Sequence, residues 1–277
     1  MADLVGVFAA SHGPMIAREW ESLPVQVREH LTKSFDELGR SIKAVKADVL
    51  VVISPDHWVN FFINNLPSVL IGIGEEHDGP PESFMQAVFP HKTLRGHVDL
   101  GAHILQTALD DGFDPAISHR LTLDHGFCLP LWRLGLGGDI AVVPMVVNSL
   151  EAPMPTIKRC IEWGHLLAKA IKSYPKDLRI AILATGGLSH SIGEPTMGMV
   201  DERFDHACIS LFQDSSEQTL AESLTSELRT TGNGAHEVRN WVIAHSAAGS
   251  HGFHLVDYAP LTEIYVGCAL AEWRVRS

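Results

Sequence analysis

The chain has 277 residues, 45% of them apolar and 19% charged, with a net charge of −12. This is the balance of a globular protein. So acidic a chain excludes a phosphate-reading nucleic-acid binder and offers no basic patch to anionic lipid, and its apolar runs fall far short of the roughly 20 residues of a membrane helix.

From the N-terminus, MADLVGVFAASHGPM lacks the basic leader of a secretory signal, so a cytoplasmic protein is expected. LVGVFAA (4–10) is a short apolar run, and 25–45 has helical spacing, with Leu31, Phe35, Leu38 and Ile42 on one stripe. ADVLVVISP (47–55) and SVLIGIG (68–74) read as strands. The irregular stretch 74–92, with its Gly-Pro-Pro, is long enough to predict a pocket wall or lid. A helix over 100–112 stops at Gly112. IAVVPMVV (140–147) and RIAILAT (179–185) are strands on either side of a helix over 156–173. Further helices are expected near 199–213, 216–229 and 235–247, then a histidine-rich irregular stretch at 245–258 and a last strand over 262–271. Near-continuous apolar strands are buried on both faces. The prediction is one α/β domain over 1–277, a central mixed, largely buried sheet flanked by helices. Cys128, Cys160, Cys208 and Cys268 are far apart, without a CxxC pair, and suggest neither a disulfide framework nor a thiolate zinc site.

Three strands run into a histidine: LVGVFAA into SHGPM with His12, DVLVVIS into PDHWVNFF with His57, and RIAILAT into GGLSH with His190. Ligands bind at that edge of open α/β sheets. Imidazole is the commonest metal ligand, and a carboxylate added to two of them makes a mononuclear site with open positions, suited to non-haem Fe(II) or to zinc. The zinc-protease spacing HExxH is absent. Glu237, in the first turn of a helix after Gly232 and Gly234, is a candidate carboxylate, although a glutamate there also complements the helix dipole. His125, in LTLDHGFCLPLWRLG, follows an aspartate, Asp124, that could orient it. Trp58 and Phe61 beside His57 could stack on an aromatic ring or pack in the core, and Arg120 could grip a carboxylate or lie free on the surface. Asp56 could hold a ligand histidine or shape a turn.

Taken in order, ASHGPM, SPDHWVNFF, LDHGFCLPL, ATGGLSH and GNGAHEVRNW resemble the class III extradiol ring-cleaving dioxygenases, the LigB-type superfamily of protocatechuate 4,5-dioxygenase. The likeness is strongest to the single-chain 2,3-dihydroxyphenylpropionate 1,2-dioxygenase branch, from which SHGPM departs. The resemblance implies Fe(II) held by His12, His57 and Glu237, with His125 and His190 as an acid–base pair over the substrate. It implies O2-dependent opening of a catechol-type ring beside its two hydroxyls. It also implies a homo-oligomer, with a small partner subunit in some members. Two rival readings use the same residues differently: a zinc-dependent hydrolase on the His/His/Glu set, and a non-enzymatic relative, which should have lost some of these five positions.

Overall fold

The computed structural model describes residues 1–137 and 140–275. In chain order the elements are β1 (Asp3–Ala10), α1 (Met15–Arg18), α2 (Val25–Ala44), β2 (Val49–Ser54), β3 (Val69–Gly72), β4 (Glu76–Gly79), α3 (Ser83–Gln86), β5 (Lys92–Arg95), α4 (Val98–Asp110), β6 (Ala116–Ser118) and α5 (His125–Arg133). There follow β7 (Ala141–Val147), α6 (Ile157–Ser173), β8 (Arg179–Thr185), α7 (Glu202–Asp214), α8 (Glu217–Glu227), α9 (Val238–Ala247), β9 (Phe253–Leu261) and β10 (Val266–Trp273).

Eight strands form one sheet in the order β6-β3-β7-β2-β8-β1-β10-β9. The central four, β7, β2, β8 and β1, run parallel, while β3, β10 and β9 pair antiparallel toward the edges. The sheet is therefore mixed, as expected from the sequence.

Period-two alternation sends successive side chains to opposite faces. Val49, Val51 and Ile53 of β2 join Ile180, Ile182 and Ala184 of β8 under α4, α6 and α9. Leu50, Val52, Ala181 and Leu183 point the other way, under α2 and α5. The stripe Leu31, Phe35, Leu38 and Ile42 is buried, which fixes α2 on that second face. Each of these side chains contributes about 1.5–3 kcal/mol by leaving water. With both faces covered, the ligand-accessible ground lies at the ends of the strands.

The structure differs from the sequence reading at the sheet edges. The stretch read as irregular at 245–258 is the end of α9 followed by β9. As an edge strand with partly exposed residues and Pro260, β9 lacks a continuous apolar run. The last strand begins at Val266 because Thr262–Ile264 forms a 3-10 turn. The 74–92 stretch holds β4 and α3, and β4 pairs with β5 as a small separate hairpin. Among the described residues no helix is long and apolar enough to cross a membrane. All four cysteines are free and buried.

Candidate metal centre

β2, β8 and β1 are neighbours in the sheet, so the loops leaving their C-terminal ends converge. His12 lies just beyond β1, His57 beyond β2 and His190 beyond β8. His125 opens α5, whose N-cap is Asp124. Glu237 ends the 3-10 turn Asn233–Glu237 that leads into α9. The five residues, scattered over 226 positions of sequence, meet above the centre of the sheet.

One pattern organises the imidazoles: each is held through Nδ1. His12 Nδ1 lies 3.0 Å from Thr185 Oγ1, and that hydroxyl gives its own proton to the Ile53 carbonyl at 3.2 Å, so Nδ1 is the donor. His57 Nδ1 donates to Asp124 Oδ2 at 3.1 Å, and the same oxygen accepts the His57 backbone N–H at 2.6 Å. His125 Nδ1 donates to Glu82 Oε1 at 2.8 Å. His190 Nδ1 donates to the Leu188 carbonyl at 3.1 Å. In neutral imidazole the other nitrogen is then an acceptor. Three of these second nitrogens face the Glu237 carboxylate: His12 Nε2 stands 3.3 Å from Oε2, His57 Nε2 3.3 Å from Oε1, and His190 Nε2 3.8 Å from Oε1.

Acceptors facing acceptors in a buried space need a cation between them. His12 Nε2 is buried and has no hydrogen-bond partner. Two cis ligands each about 2.1 Å from a metal stand about 3 Å apart, which matches the spacing of Glu237 from His12 and His57. His12, His57 and His125 also offer ring nitrogens within 4.8 Å of one another. The His125 ring, however, lies against that of His57, centroids 4.1 Å apart and planes at 33°. His57 Nε2 stands 3.3 Å from Glu237 Oε1, so the carboxylate is a close partner for it at a shared ion. The set His12, His57 and Glu237 fits a divalent ion.

Electrostatics follow from the packing. Burial lowers the His12 pKa to about 4, against the pull of Glu237. Burial also opposes charge on His57, but Asp124 and Glu237 together raise it to about 10. For Glu237 burial raises the carboxyl pKa, yet the imidazoles around it hold it well below the carboxylate range. The site thus retains a carboxylate and shares its compensating proton with imidazole until a metal displaces it.

The Gly-Gly of GGLSH serves this carboxylate. Gly186 has φ +96°, and a Cβ there would lie 2.9 Å from Glu237 Cβ and closer still to Oε2. The Gly187 N–H donates to Glu237 Oε2 at 2.9 Å. The Gly-Gly turn therefore brings the backbone close to a candidate ligand. Gly234 plays a similar part for His190, because a Cβ there would fall on the ring, 2.5 Å from Cε1.

Other sequence candidates are placed differently. Asp124 orients His57, and Glu82 takes the place beside His125. Asp56 accepts the backbone N–H groups of Val59, Asn60 and Phe61 at 3.0–3.1 Å, so it shapes the loop after His57. Arg120 spends its guanidinium on Asp78, at 2.6 and 2.8 Å, instead of lying free for a substrate carboxylate. Trp58 is exposed with φ +60°, and Phe61 is half-buried against the core under α2. Sequence reasoning missed Thr185 and Glu82. Thr185 ends a strand reading as purely apolar, and Glu82 lies in the irregular stretch, where spacing carries no signal.

The fold and site describe an α/β protein whose central strands end in a cluster of histidines around one buried carboxylate, a set able to hold a metal ion. Comparison with known families agrees: residues 6–268 match the catalytic LigB subunit of aromatic ring-opening dioxygenase, and the chain belongs to that family. Gallate dioxygenase of Pseudomonas putida is 37% identical over 153 residues, which are 53% of this chain and 44% of that protein. A 2,3-dihydroxyphenylpropionate/2,3-dihydroxicinnamic acid 1,2-dioxygenase of Photorhabdus laumondii is 27% identical over 208 residues, 74% of this chain and 62% of its own length. The chain thus spans less than two thirds of either of these relatives. The enzyme of the same name from Rhodococcus rhodochrous is 24% identical, with 94% of this chain and 95% of that one covered. A crystal structure of an uncharacterized Escherichia coli K12 protein has the same fold, with a TM-score of 0.66 at 14% identity over 96% of this chain and 99% of that one.

Proposed function

We propose that this protein is a non-haem Fe(II) extradiol dioxygenase that opens the ring of a catechol-type vicinal diol with O2. The observation that carries this reading is the set of histidines pinned through Nδ1, two of which turn Nε2 onto one buried carboxylate at 3.3 Å. His12, His57 and Glu237 would hold the iron. Bound Fe(II) supplies Lewis acidity and a redox-active centre with open positions for diol and dioxygen. Thr185 and Asp124 fix the rings of His12 and His57, so the ligand geometry is preorganised. His125 accepts a diol proton at Nε2, and His190 returns a proton at Nε2 when the O–O bond breaks.

The test is oxygen uptake by anaerobically purified, Fe(II)-loaded protein offered a panel of vicinal diols. One O2 consumed per yellow ring-opened product is the expected result. Bound zinc as isolated, with no uptake on any diol, would replace this reading by the hydrolase.

A further inference from the structure

We infer that Glu82 is a positioning residue of the reaction: it fixes the tautomer and orientation of His125 so that Nε2 is the nitrogen presented to the diol. The inference rests on the dioxygenase reading for what His125 does, and on geometry alone for how it is held. Glu82 Oε1 accepts two hydrogen bonds from the same residue, from His125 N at 3.0 Å and from Nδ1 at 2.8 Å. Ring and backbone are thus clamped to a single oxygen. Among the described residues Glu82 pairs with His125 and not with a lysine or arginine. Oε2 is buried without a hydrogen-bond partner.

Asp124 is the adjacent residue, yet it faces the other way. It caps α5 through the Gly126 N–H at 2.8 Å and holds His57. Two neighbouring carboxylate–imidazole pairs therefore stand side by side, Asp124 with His57 and Glu82 with His125, their rings 4.1 Å apart. Of these two rings, His57 is the one whose Nε2 meets Glu237, at 3.3 Å. His125 is oriented like a ligand but is left with its nitrogen beside the metal position. A carboxylate behind an imidazole fixes the tautomer and stabilises the cation formed when the ring takes a proton. In the step inferred here a diol O–H bond breaks, an Nε2–H bond forms, and the Nδ1 proton stays on Nδ1, hydrogen-bonded to Glu82. The carboxylate comes from the 74–92 segment, which thereby reaches the site.

Glu82→Gln keeps the shape but can turn an amide N–H toward Nδ1, favouring the wrong tautomer. The expected result is a fall in kcat of about 100-fold, the lower range for losing acid–base help, with KM for the diol within about threefold and iron content unchanged. In a His125→Asn background the same change should cost nothing more, because the two residues act as one unit. A second readout needs no turnover. Ring 15N shifts of the full chain loaded with diamagnetic Zn(II) should show His125 protonated at Nδ1 in the wild type and shifted toward Nε2–H in Glu82→Gln. Additive losses in the double variant, or an Nε2–H ring in the wild type, would overturn the inference. Lack of oxygen uptake by wild-type protein would instead remove the dioxygenase reading, while the 15N shifts still judged the clamp.

Discussion

Gly234→Ala should separate the position of His190 from every other property of the site. Gly234 does not lie in the left-handed region, so alanine fits its backbone, and in the 3-10 turn before α9 alanine is intrinsically favoured. The new Cβ would lie 2.5 Å from His190 Cε1 and nearer still to Cδ2 and Nε2, where ordinary contact needs about 3.5 Å. The ring must therefore move by more than about 1 Å, and a misplacement of that size costs about 100-fold in turnover. The proposed metal ligands are not touched. Oxygen uptake should fall about 100-fold, while metal content by mass spectrometry and the thermal midpoint stay close to wild type. Gly232→Ala is the contrast: its Cβ meets the His190 backbone carbonyl, 3.0 Å from the carbon, so the loop itself must move and stability falls as well. Full turnover in Gly234→Ala would refute both the placement of His190 and its role.

Thr185→Val keeps the side-chain shape but strands the His12 Nδ1–H, so metal affinity measured by chelator competition should fall about 10- to 100-fold; unchanged affinity would remove Thr185 from the site. Removing the metal should lower the thermal midpoint, and a divalent ion at about 100 times its Kd should restore about 2.7 kcal/mol. Fe(II) should restore activity as well and zinc only stability, whereas no shift with any divalent ion would argue against a metal centre. His77 and His245 are buried away from the metal site, and burial lowers each pKa to about 4. Because the unfolded chain titrates near 6.5, their stabilisation is complete above that pH and is lost as pH falls toward 4. Each should cost about 2 kcal/mol by pH 5. His245→Gln retains an acceptor for the Trp273 indole and should flatten the acid limb of urea unfolding between pH 7.5 and 5 by about that amount.

Legibility followed periodicity. The four central parallel strands and the stripe of α2 were readable because double burial writes continuous apolar runs and a 3.6-residue spacing. β9 and the three-residue β6 were not, because edge strands are partly exposed and need no apolar run. The histidines after β1, β2 and β8 were legible as strand-end residues, although only the sheet order shows that those strands are adjacent. Asp124 was read as a partner of His125 because they are sequence neighbours, but an N-cap side chain turns back over its helix and reaches His57 instead. Glu82 was out of reach, since 43 positions separate it from the ring it holds and no periodicity links them.

The acceptor behind each imidazole assigns the direction of proton flow. His125 rests on a carboxylate and His190 on the Leu188 carbonyl, a neutral group. A carboxylate stabilises the cation formed by taking a proton, whereas a carbonyl fixes the ring with less retention of that charge. The carboxylate nearest His190 Nε2 is Glu237 at 3.8 Å, which is committed to the metal in the proposed site. In the proposed mechanism His125 would therefore be the base and His190 the acid. The assignment predicts different steps for the two lesions. Mixed anaerobically with the Fe(II) protein, a chromophoric diol should ionise on binding and change its spectrum before any oxygen is admitted. His125→Gln should slow that anaerobic change. His190→Gln should leave it intact and slow only the appearance of ring-opened product after oxygen is added. The reverse pattern would exchange the two roles, and would mean that the partner of Nδ1 does not govern which ring takes the proton.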